Sequence, residues 1–269
     1  MSTTMRLGTK ADFGAVVGLF GELGVHDPPP SQAAFEAVML PRVIVAEAHD
    51  SGVARVVGYA AWRCYGATQH VVHVVVDPTA RGRRIGRGLM EALRGVAKVE
   101  GCTRWFLNVK CENAAALALY RRVGMAIERP AWALTFAWSG VARLDGEACP
   151  GFVPDGTGDA VLAERAAIEV ERLAQMRAQG RVMIALGTAQ DPVGLAVFDP
   201  RYPGAFPFWT ARPTLMRPLL EALVPQRDEA FGDLVRLTLE RDERAVEMLV
   251  AAGAEVSFAL WRMGAALEG

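Results

Sequence analysis

The segment from Arg81 to Gly88 carries the clearest chemical signal in the sequence. It contains four arginines and three glycines, and it follows a run of three valines that ends at Val76. An amphipathic helical pattern starts at its end, and the first N–H groups of a helix are unpaired and partly positive. Glycine lets a phosphate approach such N–H groups closely, and the arginines add formal charge. The segment therefore predicts a binding site for a phosphate-bearing ligand.

Two common nucleotide motifs do not fit this segment. It lacks the G-x-x-x-x-G-K-S/T pattern of a P-loop, and its spacing does not match the G-x-G-x-x-G fingerprint of dinucleotide-binding folds. A phosphate-bearing ligand of another kind is indicated. The alternative is an ordinary turn between a strand and a helix, with its arginines on a solvated face.

A second motif follows between Asn113 and Met125, and it contains the tyrosine Tyr120. A phenol has a pKa near 10, so it stays protonated at neutral pH and can act as a general acid. The alternative is a core tyrosine on a helix face that also carries Ala116 and Val123.

Together the two motifs resemble those of the GNAT superfamily of N-acetyltransferases. Arg81–Gly86 matches the family's acetyl-coenzyme A pattern Arg/Gln-x-x-Gly-x-Gly/Ala, with Arg84 where the first glycine usually lies. Arg83–Gly88 also fits the pattern, shifted by two residues, so the register stays open. Asn113–Met125 resembles the family's N-x-x-A-x-x-L-Y-x-x-x-G-F segment, with Met125 in place of the phenylalanine.

Valine-rich runs with helical patterns between them predict a mixed α/β fold, and the lack of a recognisable secretory signal predicts a cytoplasmic protein. The resemblance adds an enzyme that uses acetyl-coenzyme A. It implies transfer of an acetyl or other short acyl group to a primary amine, by direct attack within a ternary complex. Tyr120 would protonate the leaving thiolate, and Asn113 would contact the coenzyme. The residues expected at the coenzyme are Val74, Val76, Arg81, Gly82, Arg83, Arg84, Ile85, Gly86, Arg87, Gly88, Asn113 and Tyr120.

An amine acceptor must lose a proton before it attacks, so a base should assist. Such enzymes often place a glutamate on the strand before the phosphate motif, but the strand from Gln69 to Val76 has no carboxylate. His70 or His73 is the nearest substitute, acting directly or through water. Strand alternation predicts that these two histidines point to opposite faces, so that at most one lines the cleft. The alternative is that both are structural or exposed.

The elements that position these motifs follow from periodicity. Short spacings predict three antiparallel strands before the arginine-rich turn, and a helix after it in which Leu89, Leu93, Val96 and Val99 share one face. Predicted strands lie at about 6–9, 42–48, 53–65, 69–76, 104–109, 125–128 and 132–138, and two further helices are predicted at 12–23 and 113–123.

The order of elements partly repeats in the second half of the chain. A helix is predicted from Ala160 to Ala178, with strands at 182–187, 194–198 and 207–210 and a helix at 213–223. A shift of about 130 positions places Leu89–Leu93 over Leu219–Leu223, which indicates an internal duplication. We therefore expect two tandem GNAT-like domains, at 1–140 and 159–269, joined by a linker at 141–158.

The second copy has different residues at the expected site. Leu249 and Asp242 take the positions of Tyr120 and Asn113, and the basic turn is replaced by a segment with two prolines. Proline lacks a backbone donor, so this copy is not expected to bind the coenzyme in the usual way. It would act as the other half of an internal pseudo-dimer.

Composition limits the remaining possibilities. The 269 residues have a formal net charge of -1, which provides no field that would attract nucleic acid or an anionic membrane. Uncharged stretches such as Ala131–Ala142 are shorter than the roughly 20 residues that span a bilayer, and the sequence shows no secretory signal. The four cysteines form no C-x-x-C pair, so no metal site is predicted. A monomer or a homodimer is compatible with these features, as is a non-catalytic acyl-coenzyme A sensor.

Overall fold

The computed structural model describes residues 2–25, 28–50 and 53–267. The chain forms two compact units. Unit 1 consists of residues 1–127 together with 263–269, and unit 2 consists of residues 128–262. None of the helices in the described residues combines the length and the apolar composition that a membrane crossing requires.

Unit 1 is built on a mixed sheet. Its first four strands are antiparallel neighbours in chain order, and the fifth joins the fourth in parallel. The chain from Met263 onward completes this unit, and Leu267 N donates to Thr103 O at 2.7 Å. The strands are β1 (Ser2–Leu7), β2 (Val43–Asp50), β3 (Val53–Tyr65), β4 (Thr68–Val76) and β5 (Arg104–Lys110).

Helices cover both faces of this sheet. One face packs with Val16 and Leu19 of the first helix, and the other packs with Ile85 and Leu89 of the third. The core face of the third helix agrees with the predicted one except at Val99, which is 88% exposed because the helix ends there. The helices are α1 (Phe13–Phe20), α2 (Gln32–Ala34), α3 (Ile85–Val99) and α4 (Ala114–Arg122).

The pairing of β3 with β4 contains an irregularity that matters for the site. Ala61 lies opposite His73, while the next residue, Trp62, lies opposite Val71, so Val72 is an extra residue in β4. Such a bulge interrupts the alternation of side chains. His70 lies opposite Arg63, two residues from Ala61, and therefore shares a face with His73. The prediction that the two histidines point to opposite faces is wrong, because it assumed an unbroken strand.

Unit 2 is built on mixed β-strands, and its described residues form four α-helices. Its strand order is β12, β6, β11, β10, β9, β8, β7, where β12 contributes its residues up to Arg262. Its core includes Leu134, Phe198, Leu219 and Leu249. The elements are β6 (Ala126–Phe136), β7 (Gly151–Phe152), α5 (Asp159–Ala166), α6 (Val170–Ala178), β8 (Val182–Gly187), β9 (Pro192–Asp199), β10 (Gly204–Thr210), α7 (Met216–Leu223), β11 (Val235–Glu240), α8 (Glu243–Ala251) and β12 (Glu255–Ala266).

Two element predictions were wrong in this region. The single helix predicted at 160–178 is two helices, because Ala167 adopts a left-handed conformation with φ 53° and ends α5. The two strands predicted at 125–128 and 132–138 are one strand, β6, since Arg129 and Pro130 continue it. Trp138 lies beyond β6, in a turn of 3-10 helix.

The division into units differs from the predicted ranges 1–140, 141–158 and 159–269. The boundary falls after Ile127, and the chain's last residues return to unit 1. The predicted linker is packed rather than extended, because Val141 and Leu144 are buried in the core of unit 2. In addition, Gly151 and Phe152 pair with β8. High glycine and proline content here marks turns within a unit, not a spacer.

Candidate functional site

The arginine-rich turn lies at the carboxyl end of β4 and leads directly into α3. Gly82 and Arg84 have positive φ values of 77° and 61°, and α3 begins at Ile85. The first backbone bond into the helix is donated by Gly88 N to Arg84 O, at 3.0 Å. The N–H groups of residues 85–87 therefore have no acceptor within the helix. The start of α3 therefore leaves these three donors without a helical acceptor, and their use by an anion stays a prediction.

The backbone of Arg84 bears on the register of the motif. A φ of 61° is the left-handed region, which glycine adopts freely and other residues adopt at a cost. In the register Arg81–Gly86, Arg84 occupies the position of the family's first glycine. In the shifted register that position is Gly86, which lies within α3 and has ordinary helical geometry. The left-handed turn thus coincides with the glycine position of the first register.

Gly86, within α3, packs closely against α4 and β4. A Cβ atom at this position would lie 3.1 Å from Leu119 Cδ2 and 3.8 Å from Val76 Cγ2. The small residue lets the start of α3 approach both α4 and β4.

Two of the turn's arginines are held by carboxylates. Arg81 donates from Nε to Val76 O at 3.2 Å, and its Nη2 lies 2.6 Å from Glu22 Oε2. Arg87 Nε lies 2.7 Å from Glu91 Oε1, one helical turn later. These pairs are exposed, so water screens them and each contributes little to stability. A diphosphate could therefore replace the carboxylates at small cost.

β4 and β5 separate beside this turn. Their parallel pairing covers only Thr68–His70 with Arg104–Phe106, and no further pairing between these strands is recorded among the described residues. The separation begins next to the bulge at Val72. The stretch of β4 from Val72 to Val76 consequently has no strand partner on its β5 side. This opening leads from the histidines to the arginine-rich turn.

α4 places Asn113 and Tyr120. Asn113 is the N-cap residue, and its Oδ1 accepts a hydrogen bond from Ala116 N at 3.0 Å. Tyr120 lies two turns further along and is 8% exposed. Burial raises the pKa of Tyr120 to about 12, so its hydroxyl keeps its proton at neutral pH.

The two histidines have aromatic surroundings. His73 Nδ1 lies 3.5 Å from Tyr59 OH, and the His73 ring meets Phe20 edge-on at a centroid distance of 5.5 Å. His70 stacks on Phe106, with the ring centroids 4.4 Å apart and the planes 7° apart. Burial raises the pKa of the Tyr59 phenol, so this neighbour of His73 is also protonated at neutral pH.

Asn108 is a polar residue that the sequence did not single out. It follows Phe106 by two positions on β5, so both side chains point to the face that carries the histidines. Its Oδ1 is buried, and no hydrogen-bond partner for it lies in the described part of the chain. The sequence signal that could have identified Asn108 is its position as a polar residue among the apolar residues of β5, shortly before the motif that begins at Asn113.

Cys64, Glu100 and Cys102 converge at the other end of β4. Cys102 Sγ lies 3.4 Å from Cys64 Sγ, and Cys64 Sγ lies 2.6 Å from Glu100 Oε2. Burial and the neighbouring Glu100 carboxylate raise the pKa of the Cys64 thiol. Sequence spacing could not reveal this cluster, because the fold and not a C-x-x-C motif brings the residues together. The three side chains offer potential metal ligands, and their ligand atoms all lie within 4.8 Å of one another.

Comparison with known proteins identifies the family. A family model described as Acetyltransferase (GNAT) family matches residues 20–125. A relative from Mycobacterium tuberculosis, N-alpha-acetyltransferase RimI, is 38% identical over 121 residues, which are 43% of this chain and 73% of the relative. The chain therefore belongs to the GNAT acetyltransferase family. It is an acyltransferase that takes its acyl group from coenzyme A.

Solved structures show that the fold extends over the whole chain. A putative acetyltransferase from Pyrococcus horikoshii matches with a TM-score of 0.71 and 14% identity, covering 98% of this chain and 89% of that one. A tandem GNAT protein from the clavulanic acid biosynthesis pathway matches with a TM-score of 0.63 and 18% identity, covering 100% and 99%. The predicted fold class, tandem GNAT-like domains, is confirmed.

Proposed function

We propose that unit 1 transfers an acetyl group from acetyl-coenzyme A to a primary amine. The observation that carries this proposal is the opening between β4 and β5, which runs from the two histidines to the donor-rich start of α3. The name of the Mycobacterium tuberculosis relative, an N-alpha-acetyltransferase, supports an amine as acceptor. No feature of the chain specifies which amine.

The arginine-rich turn would hold the diphosphate. The N–H groups of Ile85, Gly86 and Arg87 would donate to phosphate oxygens, and the helix dipole would favour the negative charge. The arginines Arg81, Arg83, Arg84 and Arg87 would add charge, and Gly82 and Gly88 would flank the contact. The unpaired edge of β4 near Val74 and Val76 would bind the pantetheine arm through backbone hydrogen bonds.

Tyr120 would serve as general acid. The neutral amine nitrogen attacks the thioester carbonyl carbon, a C–N bond forms, and the C–S bond breaks. Tyr120 gives its proton to the departing thiolate, and the nitrogen loses its extra proton to a base. Because the pKa of Tyr120 is raised to about 12, the proton is present throughout the neutral range.

His73 and His70 are the candidate bases, acting directly or through water. Their shared face allows both to border the acceptor side of the opening. The pH–rate profiles of His70→Ala and His73→Ala would separate them. Loss of the acidic limb in one variant assigns the base, and an unchanged profile in both excludes a histidine.

Amine-dependent release of coenzyme A tests the proposal. Thiol release from acetyl-coenzyme A would be followed with amines, polyamines, aminoglycosides, amino acids and peptides that have a free N-terminus. We expect release with at least one class and covalent acetylation of that amine. Coenzyme binding without release for any class would favour a non-catalytic sensor instead.

A further inference from the structure

The carboxyl end of α3 brings two thiols and a carboxylate together within unit 1. Cys64 lies near the end of β3, and Glu100 and Cys102 directly follow α3. One ligand atom from each of the three side chains lies within 4.8 Å of the other two. α3 has 15 residues, so at about 1.5 Å per residue its two ends are roughly 22 Å apart. The cluster is therefore separate from the arginine-rich turn at the start of α3.

The two sulfur atoms are spaced as on a metal ion rather than as in a disulfide. Both cysteines are free, and their Sγ atoms lie 3.4 Å apart. A disulfide bond requires about 2.05 Å. Two Zn–S bonds of about 2.3 Å at a tetrahedral angle place the sulfur atoms about 3.8 Å apart, which is close to the observed spacing. The two cysteines would thus need to move little to hold zinc.

The third donor, Glu100, is already directed at the thiols. Its Oε2 lies 2.6 Å from Cys64 Sγ and accepts a hydrogen bond from Trp62 Nε1 at 3.1 Å. In a tetrahedral zinc complex the oxygen and the sulfur would lie about 3.5 Å apart, so the carboxylate would move outward by about 1 Å. Glu100 is exposed and has room for this movement. The Trp62 indole would orient the carboxylate, as second hydrogen-bond partners commonly orient metal ligands.

The end of α3 fixes the backbone of two of the three donors. Gly101 has a φ of 74° and ends the helix, and Cys102 N donates to Ala97 O at 2.8 Å. Glu100 N donates to Val96 O at 2.9 Å. This hydrogen-bonded helix end holds Glu100 and Cys102 in place without a metal. The carbonyl end of a helix also carries partial negative charge, which favours a cation.

We propose that Cys64, Glu100 and Cys102 bind a Zn²⁺ ion that stabilises unit 1. Two thiolates and one carboxylate are ligands that zinc accepts, whereas Mg²⁺ and Ca²⁺ prefer oxygen ligands alone. Zinc would replace the protons of both thiols, so binding would release two protons, and water would take the fourth position. The ion would link β3 to the end of α3. It would act on stability and not on acyl transfer, so this proposal does not depend on the proposed function.

Metal titration of the full chain, kept reduced with a phosphine, tests this proposal. Zinc binding would be measured by competition with a chromogenic chelator. Co²⁺ would serve as a spectroscopic substitute, because a Co–thiolate bond gives an intense near-ultraviolet absorption that oxygen and nitrogen ligands alone do not give. We expect one ion per chain, this absorption with Co²⁺, and a higher unfolding temperature with zinc. No zinc bound at micromolar concentration, or bound cobalt without the thiolate absorption, would overturn the site.

Substitutions in the cluster locate the metal. Glu100→Gln changes an exposed residue and keeps an oxygen for Trp62 Nε1, so the fold should be unaffected. We expect it to bind zinc at least about tenfold more weakly, with the cobalt–thiolate absorption retained. Cys64→Ser should weaken zinc binding as well and reduce that absorption. Cys149→Ser is the matched control, because Cys149 is a free, partly buried cysteine of unit 2, and it should bind zinc as the wild type does. Unchanged zinc affinity in either Glu100→Gln or Cys64→Ser would refute this set of ligands.

Discussion

The two units share the features that hold the fold and differ in those that could do chemistry. In each, two parallel strands pair at only two or three positions and then separate next to an irregularity. A helix then begins with an N-cap side chain, Asn113 or Asp242, whose Oδ1 accepts from a backbone N–H at 3.0 Å. Each of these helices is followed by a glycine with positive φ, Gly124 or Gly253.

The two units differ in the segment that leads into α3 or α7 and at one position of a later helix, α4 or α8. Where unit 1 has Gly82 and free N–H groups at the start of α3, unit 2 has Pro213 and, as the third residue of α7, Pro218. Each proline removes a donor from the end of the helix that would face a phosphate. Leu249, fully buried, takes the place of Tyr120. In unit 2 the core residues therefore maintain the fold, although the residues that could bind the coenzyme are replaced.

Leu249→Ala should produce the largest effect, on stability alone. Leu249 is fully buried in the core of unit 2, and such a truncation typically costs about 3 kcal/mol because it leaves a cavity. Denaturant unfolding would measure the loss. Turnover below the unfolding transition should stay at the wild-type value, and a parallel fall in turnover would contradict the assignment of the chemistry to unit 1.

Tyr120→Phe should produce the opposite pattern. Loss of a general acid typically lowers turnover by about 100-fold, while the coenzyme dissociation constant should remain nearly unchanged. Tyr65→Phe is a matched control, since Tyr65 is also buried, at 3% exposed. Steady-state kinetics and coenzyme titration would measure both. Wild-type turnover in Tyr120→Phe would remove this residue from the mechanism.

The raised pKa of Tyr120 adds a pH dependence with a defined sign. The folded protein holds this proton more tightly than the unfolded chain, whose tyrosines have a pKa near 10. The corresponding stability is complete below about pH 10 and is lost as pH rises towards 12. The free energy of unfolding, measured across this pH range, should fall more steeply for the wild type than for Tyr120→Phe.

Asn113→Asp copies the cap of unit 2 into unit 1. Aspartate caps α8 with the same geometry, so helix stability should not change. The added negative charge should weaken acetyl-coenzyme A binding by about tenfold, because Asn113 is an expected contact of this anionic ligand. Calorimetric titration would measure the affinity. Asp242→Asn should leave it unchanged, and equal effects of the two substitutions would argue against a coenzyme contact at Asn113.

The sequence predicted the elements whose cause is local. The strand β3, at Val53–Tyr65, and the helix α3 follow from the apolar periodicity of the sequence, and the turn before α3 follows from its glycine content. The position of Val72 as a bulge could not be predicted, because it depends on how β4 pairs with β3. The same holds for the convergence of Cys64 with Cys102, which are distant in sequence, and for the return of the last residues to unit 1.

Arg84→Gly should have the smallest effect, and it tests the register of the turn. Arg84 has a φ of 61°, so glycine should stabilise the protein by about 1 kcal/mol through relief of strain. Arg83→Gly makes the same change of charge at a residue that is not among those with positive φ, so glycine there relieves no strain and adds freedom to the unfolded chain. The temperature of thermal unfolding should therefore rise by a few degrees for Arg84→Gly and fall for Arg83→Gly.

If both substitutions lowered this temperature, the left-handed turn would not be at Arg84, and the register Arg81–Gly86 would lose its structural support. If the signs differ as expected, a fall in coenzyme affinity in Arg84→Gly reports the guanidinium alone, because the backbone that presents the N–H groups of α3 has been kept.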